Sequence, residues 1–184
     1  MAKKKSILDL YKMKENGEKA AWIVLYDACF ASYAEEAGMD MILCGDSVGM
    51  IVYGFPGTVP VTMDVSIAHC QAVRRGAPNT YLIGDLPFGS YHASCEDAVR
   101  NAVRFYKEAD VDAVKLEGGV AVADKIRAIV NAGMVVFGHI GLTPQSSASM
   151  GGFKAQGRTT GSARAIIEDA IAVYKAGARV LLLE

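Results

Sequence analysis

The chain has 184 residues, 52% apolar and 21% charged, enough for one well-buried core and about the length of a single domain. Its 19 Lys and Arg nearly cancel its 20 Asp and Glu, which leaves no electrostatic footprint for nucleic acid or an anionic membrane. No apolar run approaches the roughly 18–20 residues of a bilayer span, and no apolar h-region follows the N-terminal charges.

The basic run Lys3–Lys4–Lys5 reads as a solvated tail. Ser6 then opens a short helix from Ile7 to about Met13, ended by Glu15–Asn16–Gly17. From there strand and helix alternate. Strands are predicted at residues 21–26, 39–45, 80–85, 112–117, 135–140 and 179–184. Each is a run of about six residues, apolar on both faces, as parallel strands covered by helices require. Helices are predicted at 28–37, 63–75, 95–109, 122–132 and 163–176. Cys29, Cys44, Cys70 and Cys95 have neither C-x-x-C nor metal-knuckle spacing. Three fall on apolar element faces, and all four read as reduced thiols of a cytoplasmic protein.

Several helix-to-strand joints resemble one another. Ala37–Gly38, Ala132–Gly133 and Ala176–Gly177 each precede an apolar strand, and Ala109–Asp110 is a weaker copy. Glycine there suits the left-handed position that follows a helix. The repeated βα unit implies a parallel sheet, either a barrel or a doubly wound open sheet.

Strand ends favour the barrel. They finish on Tyr26–Asp27, Asp46, Asp85, Lys115 with Glu117, His139 and Glu184. An open sheet concentrates such groups at one switch point, whereas a barrel gathers every strand end around one mouth. Counting back by two gives Cys44 and Ile42 below Asp46, Ile83 and Tyr81 below Asp85, Phe137 and Val135 below His139, and Leu182 and Val180 below Glu184. Each inward face is therefore expected to be apolar below and charged on top. The expectation is one domain over residues 1–184, a TIM-type (β/α)8 barrel of which six βα units are present and the last two are lacking.

Two aspartates facing one cavity, Asp46 and Asp85, repel unless a cation lies between them. A hard divalent ion such as Mg2+ suits such oxygen ligands, with Glu117 as a third ligand directly or through water, and Mn2+ or Co2+ would also serve. Lys115 and Glu117 lie two apart on one strand, so both point inward. Lys115 then suits a substrate carboxylate or an enolate oxygen, or else a structural ion pair with Glu117. His139 could donate to a substrate oxygen. No Walker loop, H-E-x-x-H or G-x-G-x-x-G follows a strand, which argues against NTPase, zincin and dinucleotide readings. The glycine-containing loops at 47–60 and 143–161 are expected to be lids.

These motifs resemble a family. Gly45–Asp46–Ser47–Val48–Gly49–Met50, Pro60–Val61–Thr62–Met63–Asp64, Ala72–Val73–Arg74–Arg75–Gly76, Asp85–Leu86–Pro87–Phe88, Val114–Lys115–Leu116–Glu117–Gly118–Gly119, Gly138–His139–Ile140–Gly141–Leu142–Thr143–Pro144–Gln145 and Gln156–Gly157–Arg158 occur in order along the chain. They are similar to the ketopantoate hydroxymethyltransferases. The resemblance implies Mg2+-dependent transfer of a hydroxymethyl group from 5,10-methylenetetrahydrofolate to 3-methyl-2-oxobutanoate through an enolate, giving 2-dehydropantoate on the way to pantothenate and coenzyme A. It further implies metal binding by Asp46 and Asp85 with Glu117, contact of Asp46, Ser47, Asp85 and Lys115 with the 2-oxo acid, and Glu184 as the proton acceptor. A homo-oligomer, decameric in the family, is implied as well.

Two departures leave alternatives open. Ile23–Val24–Leu25 stands where the family usually has a small residue and Thr before Ala-Tyr-Asp, and Ala68 precedes His69 where an aromatic is usual. Both are expected to reshape the pocket toward a different 2-oxo acid, as in an isocitrate lyase or phosphonopyruvate mutase relative. A truncated, non-catalytic paralogue is the third reading, because the expected base, Glu184, is the last residue.

Overall fold

Neighbouring strands pair in register along the whole sheet, Ile23 beside Ile42, Leu43 beside Ile83, Asp85 beside Lys115, Glu117 beside His139 and Ile140 beside Leu183. The computed structural model describes residues 4–184. Its strands are β1 (Trp22–Val24), β2 (Met41–Cys44), β3 (Tyr81–Asp85), β4 (Ala113–Glu117), β5 (Val136–Ile140) and β6 (Val180–Leu183). All pairs are parallel, and the spatial order is β1-β2-β3-β4-β5-β6. A doubly wound sheet reverses its order at a switch point. This one never reverses, and it curls into a six-stranded part of a barrel.

The helices are α1 (Ile7–Glu15), α2 (Ala28–Glu36), α3 (Val48–Ile51), α4 (Met63–Gly76), α5 (Cys95–Ala109), α6 (Ala123–Asn131), α7 (Ser147–Met150) and α8 (Thr160–Ala176). The longer ones from α2 onward cover the outside of the sheet. Ile42, Cys44, Leu82, Val114, Leu116 and Val136 face them, packed with Ala31, Cys70, Phe105, Ile126, Ile129 and Val173. A smaller interior cluster holds Met41, Leu43, Tyr81, Ile83, Ala113 and Phe137. Leu10, Ile7 and Met13 of α1 pack against that cluster, so α1 plugs the floor beneath the strands.

Alternation places Tyr81 and Ile83, Val135 and Phe137, and Val180 and Leu182 inside, as the two-residue period predicts. Strand β2 is the exception. Met41 and Leu43 face inward, while Ile42 and Cys44 face the helices. The strand ends at Cys44, and Asp46 enters the mouth from the following turn, so counting back from it crosses a break in the period.

The joints behave as read. Gly38, Gly133 and Gly177 have φ of +80°, +89° and +104°, and Asp110, the weaker copy, is the one non-glycine among the described residues with positive φ, at +50°. Helix α8 starts three residues earlier than expected. Thr159 and Ser162 form a reciprocal capping box there, with Ser162 N donating to Thr159 Oγ1 at 3.2 Å and Thr159 N to Ser162 Oγ at 3.0 Å.

The basic run is not a free tail where it is described. Lys4 Nζ lies 2.9 Å from Asp112 Oδ1, and Lys5 pairs with Asp40, which ties the segment under the sheet. Lys3 lies outside the described residues. Cys44 and Cys70 are buried, Cys29 is exposed, and all four cysteines are free thiols. No helix of the described residues is long and apolar enough to cross a membrane.

Candidate active site

A cavity of about 780 Å³ opens at the C-terminal ends of the strands. Asp46, Ser47, Asp85, Lys115, Glu117, His139 and Glu184 all line it, so the structure brings together every site residue named from the sequence. All of the ionisable ones are buried except Glu184, whose side chain is 49% exposed. Trp22, Val24, Leu43, Met50, Leu142 and Leu182 supply an apolar wall.

One ammonium sits among several carboxylates. Lys115 Nζ lies 2.9 Å from Asp85 Oδ1 and 3.5 Å from Glu117 Oε1, with His139 Nδ1 at 3.3 Å. His139 Nδ1 is 3.4 Å from Glu117 Oε1, and Nε2 is 3.2 Å from Glu184 Oε2. Asp46 N donates to Asp85 Oδ2 at 2.9 Å, and Tyr26 Oη shares a hydrogen bond of 2.8 Å with Ser47 Oγ.

The charges follow from burial and neighbours. Burial pushes the Asp85 carboxyl well above its ordinary range and raises that of Asp46, with Lys115 only partly opposing in each case. Burial works against the Lys115 ammonium, but Asp85, Glu117 and Asp46 outweigh it and raise its pKa. Burial also works against ionised Glu117, yet its hydrogen bond with His139 and the charge of Lys115 bring it below the usual value. Lys115 and Glu117 thus favour their charged forms, and the tendency to hold a proton falls on the Asp46–Asp85 pair.

Sequence reasoning missed the residues that hold this arrangement. Gln145 Nε2 donates to Asp46 Oδ2 at 2.8 Å and to Leu86 O at 3.0 Å, while Gln145 N donates to Glu117 Oε2 at 3.0 Å. Tyr91 Oη donates to Gln145 Oε1 at 2.6 Å and accepts from Glu117 N at 3.2 Å. Gln145 follows β5 and Tyr91 follows β3, in loops without a side-chain period. The G-H-I-G-L-T-P-Q block contained the glutamine, but nothing in its spacing said what it would touch.

The donor set fits a hard divalent cation. Asp85 Oδ1 is buried and makes no hydrogen bond of acceptable geometry, although Lys115 Nζ stands 2.9 Å away. Mg2+ is commonly held by one or two carboxylates, with water and substrate oxygens completing the octahedron, and Asp46 and Asp85 supply that number. Among the described residues no group of three or more His, Cys, Asp or Glu stands ready to enclose a metal by itself. Both oxygens of Glu117 already face protein partners.

The two expected lids carry short helical turns, α3 in the first, and Pro144–Ser146 with α7 in the second. Of the departures thought to reshape the pocket, Val24 lines it, whereas Leu25 and Ala68 do not. Leu25 packs into the outer layer and Ala68 is exposed on α4, because β1 turns its alternate residues, Trp22 and Val24, to the cavity.

A family model described as ketopantoate hydroxymethyltransferase matches residues 4–184. The chain is 66% identical over 184 residues to the 3-methyl-2-oxobutanoate hydroxymethyltransferase of Alkaliphilus metalliredigens (strain QYMF), covering 100% of this chain and 65% of that protein. It is 50% identical over 184 residues to the enzyme of the same name from Heliobacterium modesticaldum (strain ATCC 51547 / Ice1), covering 100% and 67%. The chain thus spans about two thirds of the length of these curated relatives. Its fold is similar to that of a phosphonopyruvate hydrolase in complex with oxalate and Mg2+, at a TM-score of 0.72 and 16% identity over 98% of this chain and 63% of that one. It is also similar to 2,3-dimethylmalate lyase, a PEP mutase/isocitrate lyase superfamily member, at 0.69 and 21% over 97% and 62%. Those two likenesses speak for the fold alone. The family match and the high identity along the full length speak for more: the chain belongs to the ketopantoate hydroxymethyltransferase family.

Proposed function

We propose that the chain carries the metal and 2-oxo-acid site of an enzyme that moves a hydroxymethyl group from 5,10-methylenetetrahydrofolate to 3-methyl-2-oxobutanoate, giving 2-dehydropantoate. The observation that carries this reading is the meeting of Asp46, Asp85, Lys115, Glu117, His139 and Glu184 at one cavity in a chain of this family. The apolar wall beside them suits a branched aliphatic side chain.

Asp46 and Asp85 would hold Mg2+, with Glu117 acting through water, and the metal would polarise the oxo acid's carbonyl and carboxylate so that its C3 proton becomes acidic. Lys115 offers its ammonium to the substrate carboxylate. Ser47, fixed by Tyr26, contacts the same end of the molecule. Glu184 takes the C3 proton, its carboxylate 3.2 Å from His139 Nε2. The carbon nucleophile would then attack the methylene carbon of the folate, whose two C–N bonds break in turn; water supplies the hydroxyl oxygen, and tetrahydrofolate leaves.

The reading extends to the architecture. Among the described residues strands β1 and β6 each have one neighbour, and Leu181 and Leu183 of β6 are exposed together with Ile167, Ile171 and Tyr174 of α8. Two further βα units of the whole protein would cover these surfaces and close a (β/α)8 barrel. A cytoplasmic homo-oligomer belongs to the same proposal.

The test is exchange of the C3 proton of 3-methyl-2-oxobutanoate in D2O, followed by NMR with Mg2+ and without folate. Metal-dependent exchange that vanishes in Asp46→Ala and in Glu184→Gln is the expected result. A folded, Mg2+-binding protein that catalyses no exchange would sink the proposal.

A further inference from the structure

Four buried side-chain polar atoms among the described residues lack a hydrogen bond of acceptable geometry: Thr58 Oγ1, Ser66 Oγ, Asp85 Oδ1 and His139 Nε2. All but that of Ser66 belong to residues lining the same cavity. A buried hydroxyl without a partner is costly, and a valine would fill the same volume without that cost. Asp85 and His139 already have roles in the proposed chemistry. Thr58 has none.

Thr58 is 2% exposed and lies between α3 and α4. Its backbone fixes it: Thr58 O accepts from Val61 N at 3.1 Å, and Val61 is buried against Gly49, where a Cβ would come within 2.6 Å of Val61 Cγ2. The hydroxyl takes no part in this anchoring. It lines the cavity near Asp46 without a well-formed hydrogen bond to that carboxylate. The surrounding groups also matter. Ionised carboxylates only accept, and an oxo acid brings further acceptors, so the mouth needs donors. The N–H groups of Gln145 are already committed to Asp46, Leu86 and Glu117.

We infer that Thr58 is a substrate-binding residue whose hydroxyl donates to an oxygen of the 2-oxo acid bound beside Asp46 and Lys115. This rests on the 2-oxo-acid reading above. A hydroxyl without a well-formed protein hydrogen bond gives the inference an unusual signature: its removal leaves the ligand-free protein as stable or more stable, while the ligand is held more weakly.

Thr58→Val, Thr58→Ala and Thr58→Ser separate the possibilities, read by urea unfolding without ligand and by calorimetry with Mg2+ alone and with 3-methyl-2-oxobutanoate at saturating Mg2+. The valine variant should keep or raise the unfolding midpoint and bind Mg2+ as the wild type does. It should lose roughly tenfold or more in oxo-acid affinity, the usual scale for a hydrogen bond to a charged group. The serine variant should regain most of that affinity, and the alanine variant decides the matter if valine does not fold. Unchanged oxo-acid affinity in the hydroxyl-free variants would overturn the inference alone. So would weaker Mg2+ binding in those variants, because the hydroxyl would then serve Asp46. A wild type that binds Mg2+ but no 2-oxo acid would overturn the underlying reading as well.

Discussion

At the mouth of the sheet Asp46, Asp85 and Glu117 compete for Lys115, and the competition sets a pH dependence. Burial raises the carboxyls of Asp46 and Asp85 above the ordinary value of about 3.9, so the native state keeps protons that the unfolded chain has released. The stability tied to these two groups is complete below that unfolded value and is lost as pH rises through their raised values. Glu117 works the other way: burial opposes it, but His139 and Lys115 lower its pKa, so its contribution is lost as pH falls through that lower value. The raised pair predicts that the metal-free protein unfolds at less urea near pH 8 than near pH 5, roughly the span above the unfolded carboxylate value. Mg2+ should narrow the gap, adding about 2.7 kcal/mol at a hundredfold excess over its dissociation constant. A midpoint that rises with pH in the absence of metal would contradict this account. The charged residues of this set were legible in the sequence because five of them stand at strand ends or in the turn just past one. Gln145, Tyr91 and Thr58 were not, since loops have no period and the Gln145–Asp46 hydrogen bond joins positions 99 residues apart.

Helices α2 and α4 meet where Gly76 ends α4, and a Cβ there would lie 2.1 Å from the carbonyl oxygen of Ala28. Backbone cannot move aside as a flexible side chain can. Gly76→Ala should therefore destabilise the protein by about 1–3 kcal/mol, the common range for overpacking, with the loss read as a lower urea midpoint at unchanged slope. An unaltered midpoint would show that the two helices part without penalty. The neighbouring joint works by a different device. Arg74 Nε donates to Asp110 O at 2.9 Å and Nη2 to Asp112 Oδ2 at 2.6 Å, so a non-glycine residue is held in the left-handed region. The helix-to-strand joints could be read because a left-handed turn is a local requirement. The inward face of β2 could not, because the turn at Gly45 breaks the two-residue period on which the reading depended. The early start of α8 was hidden for a related reason: Gly161 looked like loop, whereas the Thr159 cap sets the boundary.

Across the whole molecule the sheet order is the governing fact, and its two edges are the exposed consequence. Leu181 and Leu183 are 41% and 65% exposed on the outer side of β6, beside an unpaired strand edge. Such an edge invites pairing with another chain. The 184-residue chain is expected to self-associate with concentration in sedimentation velocity, and Leu181→Lys with Leu183→Lys should weaken that association. Equal association in the double variant would place the contact elsewhere. The alternation of strand and helix made this sequential order readable, since it needed only the repeated βα unit and the spread of charges over many strand ends. Sequential order also has a meaning in time. Each strand docks on the one before it, so contacts remain local in sequence and a nascent chain can lay down the sheet as it is synthesised. Asp46, Asp85, Lys115 with Glu117, His139 and Glu184 then reach the mouth one after another, and Asp46 and Glu117 gain their shared tether only when Gln145 emerges. Until that moment Asp46 and Glu117 lack their common tether, so the site is completed late, after the scaffold that carries it.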